Sequence, residues 1–185
     1  MSAPLSRAAL CVAGENLCDV DGDAAEAFAW DALTALETPP DALGALAGRW
    51  AGAAPSERHA LVEAVLQALG APADRSPATG AVLRVLALLP VQRGPGDDYL
   101  ALRKIYDIAI AFHEADGPAG AWLWRALSLY WAMTDVVDDG MGWSTLIMEI
   151  NEANIAEAVA QECAALLADP PPGARAWIAW AEGLA

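Results

Sequence analysis

The sequence predicts an all-α protein, a compact bundle of seven to eight antiparallel helices, and three observations lead there. Alanine, the strongest helix former, makes up roughly a quarter of the chain. β-Branched residues are sparse outside a few short runs, which leaves little strand propensity. Apolar residues recur at helical spacing between proline and glycine breaks. With 185 residues the chain can bury a real core, and at 56% hydrophobic and 19% charged it is too apolar to be disordered.

The elements follow in order. Residues 4–13 read as a weak first helix. Asp23, with Glu26 three residues on, forms a capping box that opens a helix over 24–36. Pro39-Pro40 stops it and opens 40–50, since proline suits a first helical turn. Pro55-Ser56 introduces 57–69, with Leu61, Val62, Val65, Leu66 and Leu69 on one face and Gly70 as the stop. Ser76-Pro77 opens 77–89, which is apolar on nearly every side and therefore belongs in a core.

Gly94-Pro95-Gly96 makes 91–96 the expected subdivision of what otherwise reads as a single helical domain over 1–185. Asp97 or Asp98 caps 98–115, where Tyr99, Leu102, Tyr106, Ala109 and His113 share a face. After the turn Asp116-Gly117-Pro118 a helix over 118–134 carries Trp122, Trp124, Leu127, Tyr130 and Trp131. A long helix over 144–168 carries a mostly acidic face from Glu149, Glu152 and Glu157. Pro170-Pro171-Pro172 breaks it, and a last helix over 174–184 holds Trp177 and Trp180. The helix-plus-turn spacing near 20 residues in mid-chain also admits an α-solenoid-like array of helical hairpins, although the Trp, Gly and Pro punctuation of tetratricopeptide repeats is absent.

Charge narrows the function classes. The chain carries 25 acids against 10 bases, a net −15. No basic stripe exists to displace counterions, which argues against nucleic acid and favours a partner protein with a basic surface. The first residues lack a basic start followed by an apolar stretch, and no clean run of about 20 apolar residues occurs. A cytoplasmic protein with no membrane segment is the expectation. Cys11, Cys18 and Cys163 match no zinc or redox spacing and read as reduced thiols.

Most chemical motifs fail on spacing. A calcium loop starting at Asp19 needs Gly at its sixth position and Glu at its twelfth, where Ala24 and Trp30 stand. The segment reads instead as a solvated turn leading into a helix cap. His113-Glu114 is half of a zinc-protease motif, but Gly117 occupies the place of the second histidine. His113 then reads as a core-edge histidine donating to a carbonyl. No Glu-x-x-His pair supports a dimetal bundle, and no glycine-rich loop follows a strand.

The exception is Asp135-Val-Val-Asp138-Asp139. The Asp139-Gly140 step favours a helix that ends near Thr134, with the acids in a solvated turn. Should the helix run on, the three carboxylates would crowd its C-terminal end, where the macrodipole disfavours each by about 0.3–1 kcal/mol. Such a broken local rule is where function tends to lie. Trp131 and Trp143 flank the cluster. Trp124 and Trp131, seven apart around Leu127, read as a core face, while Trp122 points elsewhere. An exposed Trp beside acids would mark an interface.

Two functions follow. The first is a non-catalytic accessory, regulatory or immunity-type module, with no cofactor, that docks a basic partner protein through Trp131, Asp135, Asp138, Asp139 and Trp143. The alternative is a small helical enzyme that holds Mg²⁺ on Asp135, Asp138 and Asp139 with His113. A homo-oligomer also suits the surplus of apolar residues.

Overall fold

A computed structural model describes residues 4–20, 22, 24–89, 95–139, 141–143, 149–151 and 153–184, with backbone alone at 4, 95–100, 133, 135–139, 141–143 and 149–151. The fold is all-helical, as the alanine content and periodicity require. Among the described residues there are nine α-helices, one 3-10 turn and one pair of three-residue strands. The chain divides into two units, 1–87 with 172–185, and 88–171.

The first unit is assembled around α1 (Pro4–Leu17). It contains α2 (Ala24–Ala35), α3 (Asp41–Arg49), the 3-10 turn Trp50–Gly52, α4 (Pro55–Ala68), α5 (Pro77–Leu88) and the returning α9 (Pro172–Glu182). Helix α1 buries Leu5, Ala9, Leu10, Val12, Ala13 and Leu17, and packs on α2, α4 and α9. It also runs antiparallel to α5. Arg7 Nε donates to the Ala87 carbonyl at 2.6 Å, and the Cys18 thiol donates to the Pro77 carbonyl at 3.5 Å. Between those two ends Gly14 faces Gly80. A Cβ on Gly80 would lie 2.6 Å from Leu17 Cβ, and one on Gly14 would lie 2.8 Å from the Gly80 carbonyl oxygen. The two backbones therefore touch where the helices cross. This contact explains why α1 runs past residue 13, where the sequence suggests a stop. Glycine weakens an isolated helix by about 1 kcal/mol, but here only glycine admits the neighbour.

Helix α5 starts in a network of polar groups. Ser76 Oγ accepts from the Thr79 amide at 3.2 Å, the N-cap bond expected of Ser before Pro. Asp74 accepts from the Ser76 amide at 3.0 Å and from the Thr79 hydroxyl at 2.9 Å. Burial pushes the Asp74 carboxyl up, but the Ser76 amide and the Thr79 and Ser76 hydroxyls outweigh it and hold the group below its ordinary range. Trp177 Nε1 donates to the Asp74 carbonyl at 3.1 Å and Trp180 Nε1 to the Leu69 carbonyl at 2.8 Å, which fastens α9 to the segment between α4 and α5.

The second unit holds α6 (Pro95–Ala109), α7 (Pro118–Asp139), β1 (Met141–Trp143), β2 (Glu149–Asn151) and α8 (Ile155–Ala168). Helices α6 and α7 bury Leu102, Ile105 and Ala109 against Leu123, Ala126 and Leu127. Helix α8 lies antiparallel to α7. Trp122 Nε1 donates to the Leu166 carbonyl at 3.2 Å, Arg125 pairs with the buried Glu162 at 3.0 Å, and Ile155 packs on Ala132 and Ala158.

In this unit the expectations for the end of α7 and for the segment after it are corrected, and α6 ends at Ala109 where a helix over 98–115 was expected. Helix α7 does not end near Thr134 but continues through Asp139. Thr134 Oγ1 folds back onto the Tyr130 carbonyl at 2.8 Å, and the first glycine able to stop the helix is Gly140. The long helix over 144–168 is absent as such, because α8 starts only at Ile155. Before it, β1 and β2 pair antiparallel, with Gly142 opposite Ile150 and Trp143 opposite Glu149. Glu149 thus lies in a strand and does not share a helix face with Glu157; Glu152 lies outside the described residues. The 91–96 segment is outside them at 91–94.

Two substitutions test this framework. Gly80→Ala should lose about 2 kcal/mol of stability, the range for overpacking a close contact, read as a lower urea midpoint with an unchanged slope. Asp74→Ala should lose about 1 kcal/mol at neutral pH. Because the folded state depresses the Asp74 carboxyl, its contribution is present above the unfolded carboxylate range and is lost as pH falls through the folded value. The wild type and Asp74→Ala should therefore converge in strongly acidic solution, measured as thermal midpoints across a pH series.

Candidate protein-docking face

The second unit carries most of the negative charge. Residues 88–171 hold thirteen acidic and four basic side chains, a balance of −9 out of the chain's −15. Its aromatic groups are sorted in a way the helix pattern alone does not show. Trp122 is only 4% exposed and supplies the core, where its indole N–H reaches α8. Trp124 is 48% exposed and Trp131 38% exposed. The expectation that Trp124 and Trp131 form the core face with Leu127 is corrected here. The two do share a face, 5.5 Å apart and edge to face, but that face is open to water.

The exposed indoles belong to a continuous row. His113 stacks on Trp124 at 5.3 Å, and Trp131 meets Tyr106 of α6 edge-on at 6.5 Å. Tyr106 lies 4.7 Å from Tyr130, and the Arg103 guanidinium sits over both phenol rings. Arg103 donates to the Tyr130 hydroxyl at 3.0 Å and pairs with Asp107 at 3.3 Å. These contacts hold the rings against one another.

The sequence-predicted residues separate into two groups. Trp131 lies in the row, and the backbone of α7 carries positions 135 and 138 onward along the same helical face. The side chains of Asp135, Asp138 and Asp139 are outside the described residues, as is that of Trp143, whose backbone lies in β1. His113 stands at the Trp124 end of the row. Its Nδ1 donates to the Ile110 carbonyl at 2.8 Å, the core-edge arrangement expected of it, and its ring rests on Trp124. Trp124 and Asp135 are eleven residues apart in one helix, or about 16 Å of rise. The structure thus does not bring His113 to the aspartates as a fourth ligand. Among the described residues no group of three or more His, Cys, Asp and Glu is placed to hold a metal ion, and no helix is long and apolar enough to cross a membrane.

Tyr106 and Trp124 are the site residues that sequence reasoning missed. The signal available was the seven-residue spacing of two indoles in a helix that also contains Trp122; both sets are helically periodic, and periodicity does not say which set is inside. No family model matches the chain, and neither a curated protein nor a solved structure matches it.

The sorting of indoles makes a direct prediction. Trp122→Ala should destabilise by about 3–5 kcal/mol, the range for deleting a buried aromatic. Trp124→Ala should stay within about 1 kcal/mol of wild type, as for a surface side chain. Chemical denaturation of the two variants reads the contrast directly.

Proposed function

We propose that this protein is a non-catalytic, acidic binding module that docks a basic partner protein through the α7 face, in an accessory, regulatory or immunity-type role. The observation that carries this reading is the exposed, mutually packed pair Trp124 and Trp131 on the more acidic unit. Tryptophan is favoured among residues that contribute most of an interface's affinity. Opposite charge accelerates encounter and excludes other acidic proteins. Helix α7 then continues into Asp135, Asp138 and Asp139, against the preference of its own macrodipole. A basic side chain from a partner would relieve that repulsion, so docking and helix stability act together. The encounter fits the cytoplasm, where thiols such as Cys11 and Cys18 stay reduced.

The test uses a defined probe. An Arg-rich helical peptide, labelled for fluorescence anisotropy, should bind the full chain, whereas its Glu-for-Arg counterpart should not. Raising salt from low to above physiological strength should weaken binding by about tenfold, because the steering charges are screened. Trp131→Ala and Asp138→Lys should each weaken it by about tenfold or more. Affinity unchanged by both substitutions, or insensitive to salt, contradicts this face as the docking site.

A further inference from the structure

Helix α7 carries one straight strip of positions along its length. In steps of about 100° per residue, positions 128, 131, 135 and 138 all fall within about 40° of position 124. Trp124 and Trp131 are both exposed, and their seven-residue separation is about 10 Å of rise. Ser128 stands between them, half-buried, and its hydroxyl donates to the Arg125 carbonyl at 2.7 Å. Positions 135 and 138 are Asp and continue the strip by about 6 and about 10 Å beyond Trp131.

An apolar stretch of two turns followed by an acidic stretch of two turns matches the face of another helix. A helix returns to its own face every seven residues, so two apolar side chains seven apart meet both indoles at once. The same helix reaches positions 135 and 138 with residues four and seven further along. An extended segment repeats its face about every 6.6 Å and falls out of step with indoles about 10 Å apart.

Charge gives the direction. The C-terminal end of α7 is the negative end of its macrodipole, and Asp135, Asp138 and Asp139 add to it. An antiparallel partner helix brings its positive N-terminal end there, whereas a parallel one brings negative to negative. Bases in a first turn weaken a free helix, so a helix with bases at that end gains only against an acidic face such as this one. A second copy of this chain fits badly, because each copy carries −15.

We propose, resting on the reading of α7 as the docking face, that its occupant is an amphipathic helix of a partner protein lying antiparallel to α7. Two apolar residues seven apart cover Trp131 and Trp124, and bases on the N-terminal side of that helix stand over positions 135 and 138. Apolar anchors supply most of the affinity of such a contact, and the charges fix its direction.

The experiment uses two hydrocarbon-stapled helical peptides of identical composition, each with two leucines seven apart. The base-first peptide has arginines four and seven residues before its first leucine, and the base-last peptide has them four and seven residues after its last. The staples hold both helical, so free-peptide helicity does not enter. By fluorescence anisotropy with the full chain, the base-first peptide should bind about threefold more tightly, the order that macrodipole terms supply. Moving one leucine by two positions should weaken it about tenfold, because the two anchors then leave one face. A nitroxide at its N-terminus should broaden the amide signals of Ala132 and Thr134 more than that of Ala121, and a nitroxide at its C-terminus the reverse. Equal or tighter binding of the base-last peptide, indifference to leucine spacing, or the opposite nitroxide pattern overturns the antiparallel helix. If the Arg-rich probe still binds in a salt-dependent way in that case, the docking face itself stands. Failure of every peptide, the Arg-rich probe included, removes both. A dimer of the chain in sedimentation that Trp131→Ala abolishes would give the face to a second copy and overturn the proposal as well.

Discussion

The first unit depends on one backbone contact, the crossing of α1 and α5 at Gly14 and Gly80. Because neither position carries a side chain, the helices approach until main-chain atoms meet, and the bonds Arg7 to Ala87 and Cys18 to Pro77 flank the crossing on either side. Helix α5 is apolar on almost all sides and cannot stand at a surface. Helix α1 is what covers part of it. From that pair α1 extends outward to α2, α4 and α9.

The second unit is organised by a different device. Arg125 reaches across to Glu162, which is 1% exposed, and Trp122 donates to the main chain of α8 three residues earlier on α7. Burying an ion pair contributes little net stability, but removing one partner leaves a charge in a poor medium at a cost of about 3–5 kcal/mol. Such a pair specifies one alignment of α7 on α8. That alignment turns Trp122 inward, and the helical repeat then turns Trp124 and Trp131 outward.

Local preference is overridden at two places in the chain. Asp19 occupies a glycine-like position at the end of α1, and the aspartates 135, 138 and 139 occupy the unfavourable end of α7. Natural sequences are locally consistent over most of their length, so departures gather where something other than folding selects the residue.

The all-helical class was legible in the alanine content, the sparse β-branched residues and the punctuation, because these act within a few residues of chain. Ser76 before Pro77 and the Pro55 and Pro118 starts were readable for the same reason. What only tertiary structure decided is which periodic face is inside. Trp122 and Trp124 are equally apolar and two positions apart, and nothing local distinguishes them until α8 arrives from forty residues away. The extension of α1 past Gly14 also depended on a partner, since glycine weakens a lone helix and permits a crossed one. The strands over 141–143 and 149–151 replaced an expected helix because the hydrogen bonds of a hairpin join residues that a local window does not compare.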